Sequence, residues 1–457
     1  MATMEGHWVH MVGIAGVGMS GIARVLTEEG TKVSGSDLQN TTITKSLEEM
    51  GIVINYGHSS SNIGEGVDLV VISSAIPSDN CEVLEARKRN IPVIKRGEML
   101  ARMMNSYKGI AVAGAHGKTT TTSMIYTVLA AGNMDPTFIV GGEIRESKLN
   151  ACLGKGDYFV AEADESDASF LRLQPYIAVV TNIENDHLDY YKSFERIQNA
   201  FKQFIEQVRP DGFALLYGGD PFADLIKDQV ARRILLYGED KEYDYAMVDW
   251  RTEGMGSVFT VLKNGSRLGE IELSVPGRHN ALNALAAVAV ACETGVEFEK
   301  IRSALRTFQG TKRRFQLLGE VNGITVVDDY AHHRTEIKAT IEAGKNLKPG
   351  RLVVAFQPHR YSRTNLLGTQ IGQSFVGADM VILTGIYSAG EKPIEGVSSE
   401  LIYQAAKKAG NNIIYIPELD EAEDYVTKNL KKEDLLITMG AGNIWMLGMN
   451  VVERLRN

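Results

Sequence analysis

Strand-like and helix-like patterns alternate along the first hundred residues. The hydrophobic pattern predicts short strands at residues 7–14, 32–36, 67–73 and 91–94. Residues 18–29 place apolar side chains three to four positions apart, which predicts an amphipathic helix. Strands that alternate with helices favour a parallel sheet covered by helices.

The same alternation occurs twice more, in a segment that begins near Gly109 and in another that begins near Lys312. In the first of these, strands are predicted at 109–113, 158–162, 177–182, 213–217, 234–236, 257–262 and 270–275, and helices at 119–131 and 280–293. The last two strands alternate apolar and polar positions, as antiparallel strands do. In the second, strands are predicted at 324–328, 352–356, 380–383, 413–416 and 435–438. We therefore predict an α/β protein with three domains, at residues 1–105, 106–311 and 312–457.

Composition agrees with this organisation and narrows the function. A chain of 457 residues has room for three domains of roughly 150 residues each. Its formal net charge of -9 argues against a nucleic-acid-binding surface. The three cysteines are far apart and form no CxxC pair, which fits a reducing cytoplasm. The first six residues lack a signal-peptide pattern, and no apolar run approaches the roughly 20 residues of a membrane span. We expect a cytoplasmic protein without membrane insertion.

A glycine-rich segment between a predicted strand and a predicted helix is typical of a phosphate-binding loop. Its glycines let backbone amides face phosphates, and the helix N-terminus adds partial positive charge. Lys118 can neutralise the outer phosphates, and the Thr119 hydroxyl can bind magnesium. The spacing is shorter than the general pattern, since Val112 stands where the first glycine is expected, and a glycine-rich turn with an exposed lysine is the alternative. The proposed loop comprises Gly114, Ala115, His116, Gly117, Lys118, Thr119 and Thr120.

Carboxylates follow the next predicted strand of this segment. Residues 162–167 have the sequence EADESD, which is either a metal site or a solvated acidic loop. His187 lies among acidic residues after the following strand. Because parallel strands end at the same edge of a sheet, Thr119, Glu162 and His187 are predicted to converge on magnesium.

The first predicted helix opens with a GxGxxG sequence formed by Gly16, Gly18 and Gly21, and Asp37 ends the next strand. This is the fingerprint of a dinucleotide site. Taken alone, it predicts only that a phosphate or nucleotide approaches the start of the helix.

Further polar motifs follow later strands. Asn280 and Asn283 are candidates for binding a base edge, and a helix cap is the alternative for Asn280. Arg360 and Arg363 would share one helix face if the segment after Pro358 is helical. They would then bind a carboxylate in a fork, with surface salt bridges as the alternative.

Together these segments resemble the Mur ligase family, the amide-bond-forming ligases of bacterial cell-wall synthesis. The similarity runs from Gly13 to Gly442 in family order. The motifs are GxxGxGMSG, GxHGKTTTT, EADESD, TNIExDHLD, PGRHNxxNA, GTKRRF, DDYAHH, FQPHRYSRT and YSAGEKP. The resemblance implies an N-terminal Rossmann-like parallel sheet, a central P-loop ATPase-like domain with a small antiparallel part, and a C-terminal Rossmann-like domain.

The resemblance also implies a reaction. ATP would phosphorylate the carboxylate of UDP-N-acetylmuramate, and the amine of L-alanine would attack the acyl phosphate, with Mg2+ as cofactor. Catalysis would depend on Lys118, Glu162 and His187, of which the last two would bind the metal together with Thr119.

The remaining site residues are also those that the resemblance implies. The UDP part of the substrate would contact Gly16, Gly18, Ser20, Asp37 and His58. Adenine would contact Asn280 and Asn283, and the ribose and phosphates would contact Arg313 and Asp329. L-alanine would contact Tyr330, His359, Arg360 and Arg363.

One departure from the family pattern, one further candidate residue and three other functions stay open. Arg334 stands where the family usually has proline, and Lys202 is a weak candidate for the carbamylated lysine of sister ligases. One alternative function is a recycling ligase that adds a peptide to UDP-N-acetylmuramate. The others are a dehydrogenase, which leaves Lys118 unexplained, and a non-catalytic nucleotide switch. The protein is expected to be a monomer or a homodimer.

Overall fold

The computed structural model describes residues 6–185 and 188–456. Contacts divide the chain into two compact units. The first unit contains Met1–Val248, Thr260–Ile271 and Leu282–Thr307, and the second contains Asp249–Phe259, Glu272–Ala281 and Phe308–Asn457. Three sheets lie in the chain, and the α/β fold class predicted from the sequence is confirmed.

The N-terminal sheet has five parallel strands in the order β3-β2-β1-β4-β5. The edge strand β3 was absent from the sequence prediction because its side chains are only partly buried, with Val53 64% exposed, so no apolar run marks it. The strands are β1 (Trp8–Val12), β2 (Lys32–Asp37), β3 (Val53–Tyr56), β4 (Leu69–Ile72) and β5 (Val93–Lys95), and the helices are α1 (Val17–Glu28), α2 (Thr42–Glu49), α3 (Cys81–Lys88) and α4 (Arg96–Met104).

The central sheet has ten strands in the order β15-β14-β13-β12-β11-β10-β6-β9-β7-β8. Its strands are β6 (Lys108–Ala113), β7 (Thr137–Ile144), β8 (Leu149–Cys152), β9 (Tyr158–Glu162), β10 (Ile177–Val180), β11 (Phe213–Tyr217), β12 (Ile234–Gly238), β13 (Tyr245–Glu253), β14 (Gly256–Lys263) and β15 (Ser266–Leu273). The associated helices are α5 (Lys118–Ala131), α6 (Leu188–Tyr191), α7 (Phe194–Glu206), α8 (Pro221–Ile226), α9 (Arg278–Glu293) and α10 (Phe298–Thr307).

The small antiparallel part of this sheet was predicted, but not its full extent. Asn264 and Gly265 both have positive φ and join β14 to β15, which is the turn that a two-residue hairpin requires. A second antiparallel pair, β7 with β8, was not predicted from the sequence.

The C-terminal sheet has the order β16-β17-β21-β18-β19-β20, in which only the edge pair β16 and β17 is antiparallel. Its strands are β16 (Gln316–Val321), β17 (Ile324–Asp329), β18 (Arg351–Phe356), β19 (Met380–Leu383), β20 (Ile413–Tyr415) and β21 (Asp434–Met439). Its helices are α11 (Arg334–Asn346), α12 (Tyr361–Gly372), α13 (Glu400–Lys408), α14 (Leu419–Asn429) and α15 (Trp445–Arg456). Within the described residues, no helix is both long and apolar enough to cross a bilayer.

One cluster of buried apolar residues in the first unit extends from the N-terminal sheet to the central sheet. Helix α1 packs on β7, where a Cβ at Gly21 would lie 2.9 Å from Ile139. Gly21 is therefore needed for close packing of helix on sheet, one of the roles of the third glycine in such fingerprints. At the other side of this core, Phe170 packs against Phe201 and Phe204 of α7 with ring centroids 5.2 and 5.0 Å away.

We expect Phe204→Ala to lower the free energy of unfolding of the first unit by about 3–5 kcal/mol, because it empties a fully buried site among aromatic rings. Phe194→Ala is the matched control, since Phe194 begins the same helix and is 38% exposed. Urea denaturation followed by circular dichroism measures both. Equal losses in the two variants would contradict the assignment of Phe204 to the core.

Candidate active site

The turn after β6 requires glycine at two positions. Gly114 has φ of 131° and Gly117 has φ of 83°. A side chain at Gly114 would collide with the Thr181 hydroxyl, and a Cβ at Gly117 would lie 2.7 Å from Asn283 Oδ1. Only glycine combines such backbone angles with so little room. The turn therefore has the cradle shape of a phosphate-binding loop.

The end of β10 holds this loop in place. The Ala115 amide donates to the Asn182 carbonyl (3.1 Å), and the His116 amide donates to Asn182 Oδ1 (2.9 Å). In return, Asn182 Nδ2 and the Thr181 hydroxyl both donate to the His116 carbonyl. Helix α5 then begins at Lys118 with no side-chain hydrogen bond at its N-cap, Gly117. The first amides of the helix, those of Lys118 and Thr119 among them, are thus placed to bind an anion.

Lys118 is held inside the loop by its own neighbours. Its Nζ donates to the Gly114 carbonyl and to Glu165 Oε1, the latter at 2.7 Å. Burial alone lowers the pKa of Lys118, but the Glu165 carboxylate outweighs burial and raises the pKa above its usual value. The ammonium group is therefore charged at neutral pH and lies where a phosphate group would be bound.

Thr119 and Glu162 both contact β7. The Glu162 carboxylate accepts from the Gly141 amide, and a Cβ at the adjacent Gly142 would lie 3.1 Å from the Thr119 methyl group. Glu162 ends β9, directly beside β6 in the sheet. The predicted neighbourhood of the phosphate loop and this carboxylate is present in the structure.

The other carboxylates of the acidic segment have separate partners. Asp164 pairs with Arg96 (2.7 Å). Burial raises the pKa of Asp164, but the charges of Arg96 and Lys118 and the hydrogen bonds with Ser166 together outweigh burial and lower it. Asp167 accepts from the Ser169 amide (3.0 Å), and Glu165 pairs with Lys118. Three of these carboxylates, Asp164, Glu165 and Asp167, thus have partners within the protein, and metal binding by Glu162 remains a prediction.

His187, one of the three predicted metal ligands, lies outside the described residues. Within the described part of the chain, no three His, Cys, Asp or Glu side chains are grouped to hold an ion. A hydroxyl from Thr119 and a carboxylate from Glu162 are nevertheless the hard oxygen ligands that magnesium prefers. The residues present fit a magnesium ion bound mainly through phosphate oxygens and water.

The glycine loop of the N-terminal sheet is fastened to the end of β2. The Ala15 amide donates to Asp37 Oδ2 (2.9 Å), and the Gly13 and Ile14 amides donate to the Ser36 carbonyl. Gly16 is the N-cap of α1 and makes no side-chain hydrogen bond there.

Gly18 and Ser20 lie on different sides of the first turn of α1. A Cβ at Gly18 would lie 3.1 Å from Arg96 Nη1, so a guanidinium group lies beside the loop. Ser20 is only 3% exposed and accepts a hydrogen bond from Asn150 of β8 (3.1 Å). Contact of Ser20 with the UDP part of the substrate remains a prediction.

His58 follows β3, and its ring is held from one edge. His58 Nδ1 lies 3.0 Å from Glu82 Oε1 and 3.2 Å from the Ser36 hydroxyl. The side chain is 17% exposed. His58 is therefore connected to the glycine loop through Ser36. Its contact with the UDP part of the substrate remains a prediction.

Asn280 and Asn283 are both buried, at 6% and 7% exposure. Helix α9 begins at Arg278, so Asn280 lies inside the helix and is not its cap, and its Nδ2 donates to the Pro276 carbonyl (2.7 Å). Asn283 lies against Gly117, which places it beside the phosphate loop. Contact with adenine remains a prediction for both residues.

In the second unit, the Arg313 side chain contacts two segments that are distant from it in sequence. Its guanidinium donates to Asp328 (2.9 Å) and to the carbonyls of Gly440 and Gly442. Asp329 instead accepts from the amides of Phe315 and Ala331, and burial raises its pKa to about 6. Both side chains therefore shape the strand ends of the C-terminal sheet.

The residues expected to bind L-alanine lie together in the second unit, with one correction. The shared helix face predicted for Arg360 and Arg363 is wrong, because Arg360 has φ of 72° and precedes α12, which begins at Tyr361. Arg363 Nη1 lies 3.1 Å from His359 Nδ1. Burial, with Arg363 and Arg360 nearby, lowers the pKa of His359 to about 4, so its neutral ring accepts this hydrogen bond.

Aromatic rings surround this group. His332 lies next to Tyr330 and His359, with ring centroids 5.4 and 5.9 Å away. Tyr387 stacks on His359 at 5.8 Å and accepts from the Arg360 amide through its carbonyl. Tyr387 belongs to the YSAGEKP motif, but the sequence alone gave it no role.

The structure shows the surroundings of Arg334 and of Lys202. Arg334 is the first residue of α11, a position that accepts either proline or an ordinary residue because its amide has no helical partner. Lys202 donates to Gln229 Oε1 (3.2 Å). Nothing in this contact supports a role for Lys202 at a metal.

Arg96 and Glu165 are the neighbours of the site that sequence analysis did not single out. Glu165 lay within a recognised acidic segment, but only the fold shows which carboxylate faces Lys118. Arg96 carried no motif signal, because its partners Gly18 and Asp164 are distant in sequence.

Family models match nearly the whole chain. The Mur ligase family catalytic domain matches residues 8–108, the Mur ligase middle domain matches residues 112–291, and the Mur ligase glutamate ligase domain matches residues 313–442.

Individual proteins are similar over the same length. The UDP-N-acetylmuramate–L-alanine ligase of Syntrophomonas wolfei is 58% identical over 99% of this chain and 98% of its own. That of Desulforamulus reducens is 50% identical over 98% and 97%. The crystal structure of the UDP-N-acetylmuramate-alanine ligase of Thermotoga maritima is 30% identical and superposes with a TM-score of 0.84 over 98% of this chain and 99% of its own. On these similarities and on the geometry of its phosphate loop, the chain belongs to the Mur ligase family.

Proposed function

We propose that the protein joins L-alanine to UDP-N-acetylmuramate with hydrolysis of ATP to ADP and phosphate. The observation that carries this proposal is the phosphate loop, in which a charged Lys118 lies at the start of α5. The 58% identity with a UDP-N-acetylmuramate–L-alanine ligase over 99% of the chain supports the choice of substrates. The three free cysteines support a cytoplasmic location.

The chemistry begins with a poor electrophile, since a carboxylate resists attack by an amine. Phosphoryl transfer from ATP converts it to an acyl phosphate, and such transfer depends mostly on positioning and charge neutralisation. The amides at the start of α5 would hold the phosphates, and Lys118 would exchange Glu165 for the transferred group. When bound to Thr119, Glu162 and His187, magnesium would add positive charge at the same phosphates.

The second step is attack by the alanine amine on the acyl carbon, with loss of phosphate. We propose that His359, Arg360 and Arg363 bind the alanine carboxylate and that Tyr330 shapes its pocket. Arg363 is oriented by His359, so its remaining N–H groups have a fixed direction. A pre-oriented guanidinium binds a carboxylate with less loss of entropy than a lysine would.

A phosphate-release assay with UDP-N-acetylmuramate, ATP, magnesium and either L-alanine or a tripeptide tests the proposal. Turnover with L-alanine alone supports it. Turnover with the tripeptide alone would instead indicate a recycling ligase, a class represented by the murein peptide ligase of Psychrobacter arcticus, with 26% identity and a TM-score of 0.73. Absence of turnover with both, together with ATP binding, would indicate a nucleotide switch.

We expect Lys118→Ala to reduce kcat by on the order of a thousandfold or more while the protein stays folded, because a charge at the transferred phosphate is lost. Lys227→Ala is the control, since Lys227 forms only a surface pair with Asp224. Near-normal turnover of Lys118→Ala would remove this loop from the reaction.

We expect Glu162→Gln, and likewise His187→Ala, to raise the magnesium concentration needed for half-maximal rate. Asp167→Asn is a matched control, because the amide oxygen can still accept from Ser169 while the same segment loses one charge. Magnesium titrations of the rate distinguish the variants. If Glu162→Gln and Asp167→Asn respond alike, Glu162 is not a metal ligand.

We expect Arg363→Ala to raise the KM for L-alanine by about ten- to a hundredfold, the effect of losing one charge-assisted contact. The KM values for ATP and the UDP-sugar should change little, and hydroxylamine should still trap the acyl phosphate. Arg454→Ala, which breaks a surface pair with Glu423 and Asp424, is the control. A raised KM for the UDP-sugar instead would assign Arg363 to that substrate.

A further inference from the structure

Glu82, near the start of α3, is completely buried in the N-terminal sheet domain, yet it is ionised. Burial raises the pKa of this carboxyl, but hydrogen bonds from its neighbours outweigh burial and hold the pKa at about 2. One oxygen lies 2.9 Å from His10 Nε2 and accepts from the Ser36 hydroxyl (2.8 Å). A buried carboxylate with this many donors holds the surrounding side chains in place.

The second carboxylate oxygen holds the loop that follows β3. It lies 3.0 Å from His58 Nδ1 and accepts from Asn62 Nδ2 (3.0 Å) and from the Ser59 amide (3.3 Å). Asn62 also donates to the Gly57 carbonyl, so the loop is closed on itself as well as on Glu82. The position and ring orientation of His58 therefore depend on Glu82.

The hydrogen-bond partners of His10 and His58 determine which ring nitrogen of each histidine donates to Glu82. Trp8 Nε1 donates to the Ser34 hydroxyl, which can then donate to His10 Nδ1, so that His10 Nε2–H donates to Glu82. The Ser36 hydroxyl donates its proton to Glu82. The Ser36 oxygen can therefore only accept a hydrogen bond from His58 Nδ1–H. His58 thus uses Nδ1–H toward the interior, and Nε2 lies on the opposite edge of the partly exposed ring.

The same Ser36 joins this network to the glycine loop. Its hydroxyl contacts Glu82 and His58, while its carbonyl accepts from the amides of Gly13 and Ile14. The next residue, Asp37, accepts from the Ala15 amide. His58 is therefore kept in register with the loop at the carboxyl ends of the strands, where open α/β sheets bind ligands.

We propose that Glu82 is a positioning residue for binding of the UDP-sugar diphosphate. By accepting from His58 Nδ1–H, it holds the ring in the orientation that directs Nε2 away from the interior and toward a phosphate oxygen. This inference rests on the proposed function of the N-terminal domain, and it assigns to Glu82 an effect exerted only through His58.

The test measures the Kd of UDP-N-acetylmuramate, UDP and uridine by calorimetry for the full-length protein and its variants. We expect His58→Ala to weaken UDP binding by about ten- to a hundredfold, as for the loss of a charge-assisted hydrogen bond. We expect Glu82→Gln to weaken it on the order of tenfold, comparable to the loss of a carboxylate behind a ligand-binding histidine. Uridine, which has no phosphate, should bind all variants alike.

A double-mutant cycle separates positioning from a general structural effect. In the His58→Ala background, Glu82→Gln should change the Kd of UDP less than about twofold, because its only route to the ligand is gone. Glu85→Gln is the matched control on the same helix, where Glu85 pairs with the surface residues Lys88 and Arg89. If Glu82→Gln does not fold, Ser36→Ala loosens the same ring without removing the carboxylate and should show the same non-additivity.

The outcomes are distinct. If the unaltered protein binds neither UDP nor the UDP-sugar, the proposed function fails. If it binds both but Glu82→Gln behaves like Glu85→Gln, or the effects of Glu82→Gln and His58→Ala add fully, the positioning proposal fails. An equal loss of affinity for uridine would also overturn it, because Glu82 would then shape the whole domain and not the phosphate contact.

Discussion

The close contact between the phosphate loop and the end of β10 is the constraint on which the rest of the active site depends. Gly114 leaves no space for a side chain beside Thr181, and Asn182 is hydrogen-bonded to both Ala115 and His116. With the loop fixed at both glycines, α5 must begin at Lys118. The first amides of that helix and the lysine ammonium group are then aimed at the same place. A residue larger than glycine at either position would displace all of these donors together.

In the acidic segment of the first unit, carboxylates pair with nearby cationic side chains. Within residues 162–167, Glu165 pairs with Lys118 and Asp164 pairs with Arg96. Glu162 lies at the end of β9 and accepts from the Gly141 amide. Pairing of this kind offsets the cost of burying ionised groups. It also keeps Lys118 in its charged form. Under the proposed function, a bound phosphate would then replace one anion with another, and no new charge would have to be buried.

In the N-terminal sheet, the buried carboxylate of Glu82 is likewise offset by hydrogen bonds from its neighbours. These reach His10 in the middle of β1, Ser36 near the end of β2 and His58 in the loop after β3. The glycine fingerprint above it serves two purposes. Gly16 is the N-cap of α1 and makes no side-chain hydrogen bond there. Gly21 leaves room for α1 to pack closely on β7 of the central sheet.

The sequence by itself determined the α/β class, the buried central strands and the strand-end location of every candidate motif, because these depend on local hydrophobic pattern and on glycine conformation. It did not locate β3, β8 or β16, which lie at sheet edges and have few fully buried residues. It also missed β7 and β13, whose buried apolar residues are mostly at one end of the strand. Nor could it decide that Arg360 stands outside α12, that Asn150 of β8 donates to Ser20, or that Glu165 rather than its neighbours contacts Lys118. Those outcomes depend on which side chains approach across many residues of intervening chain. Only the tertiary structure sets these distances, and the strength of each charge pair or hydrogen bond follows from them.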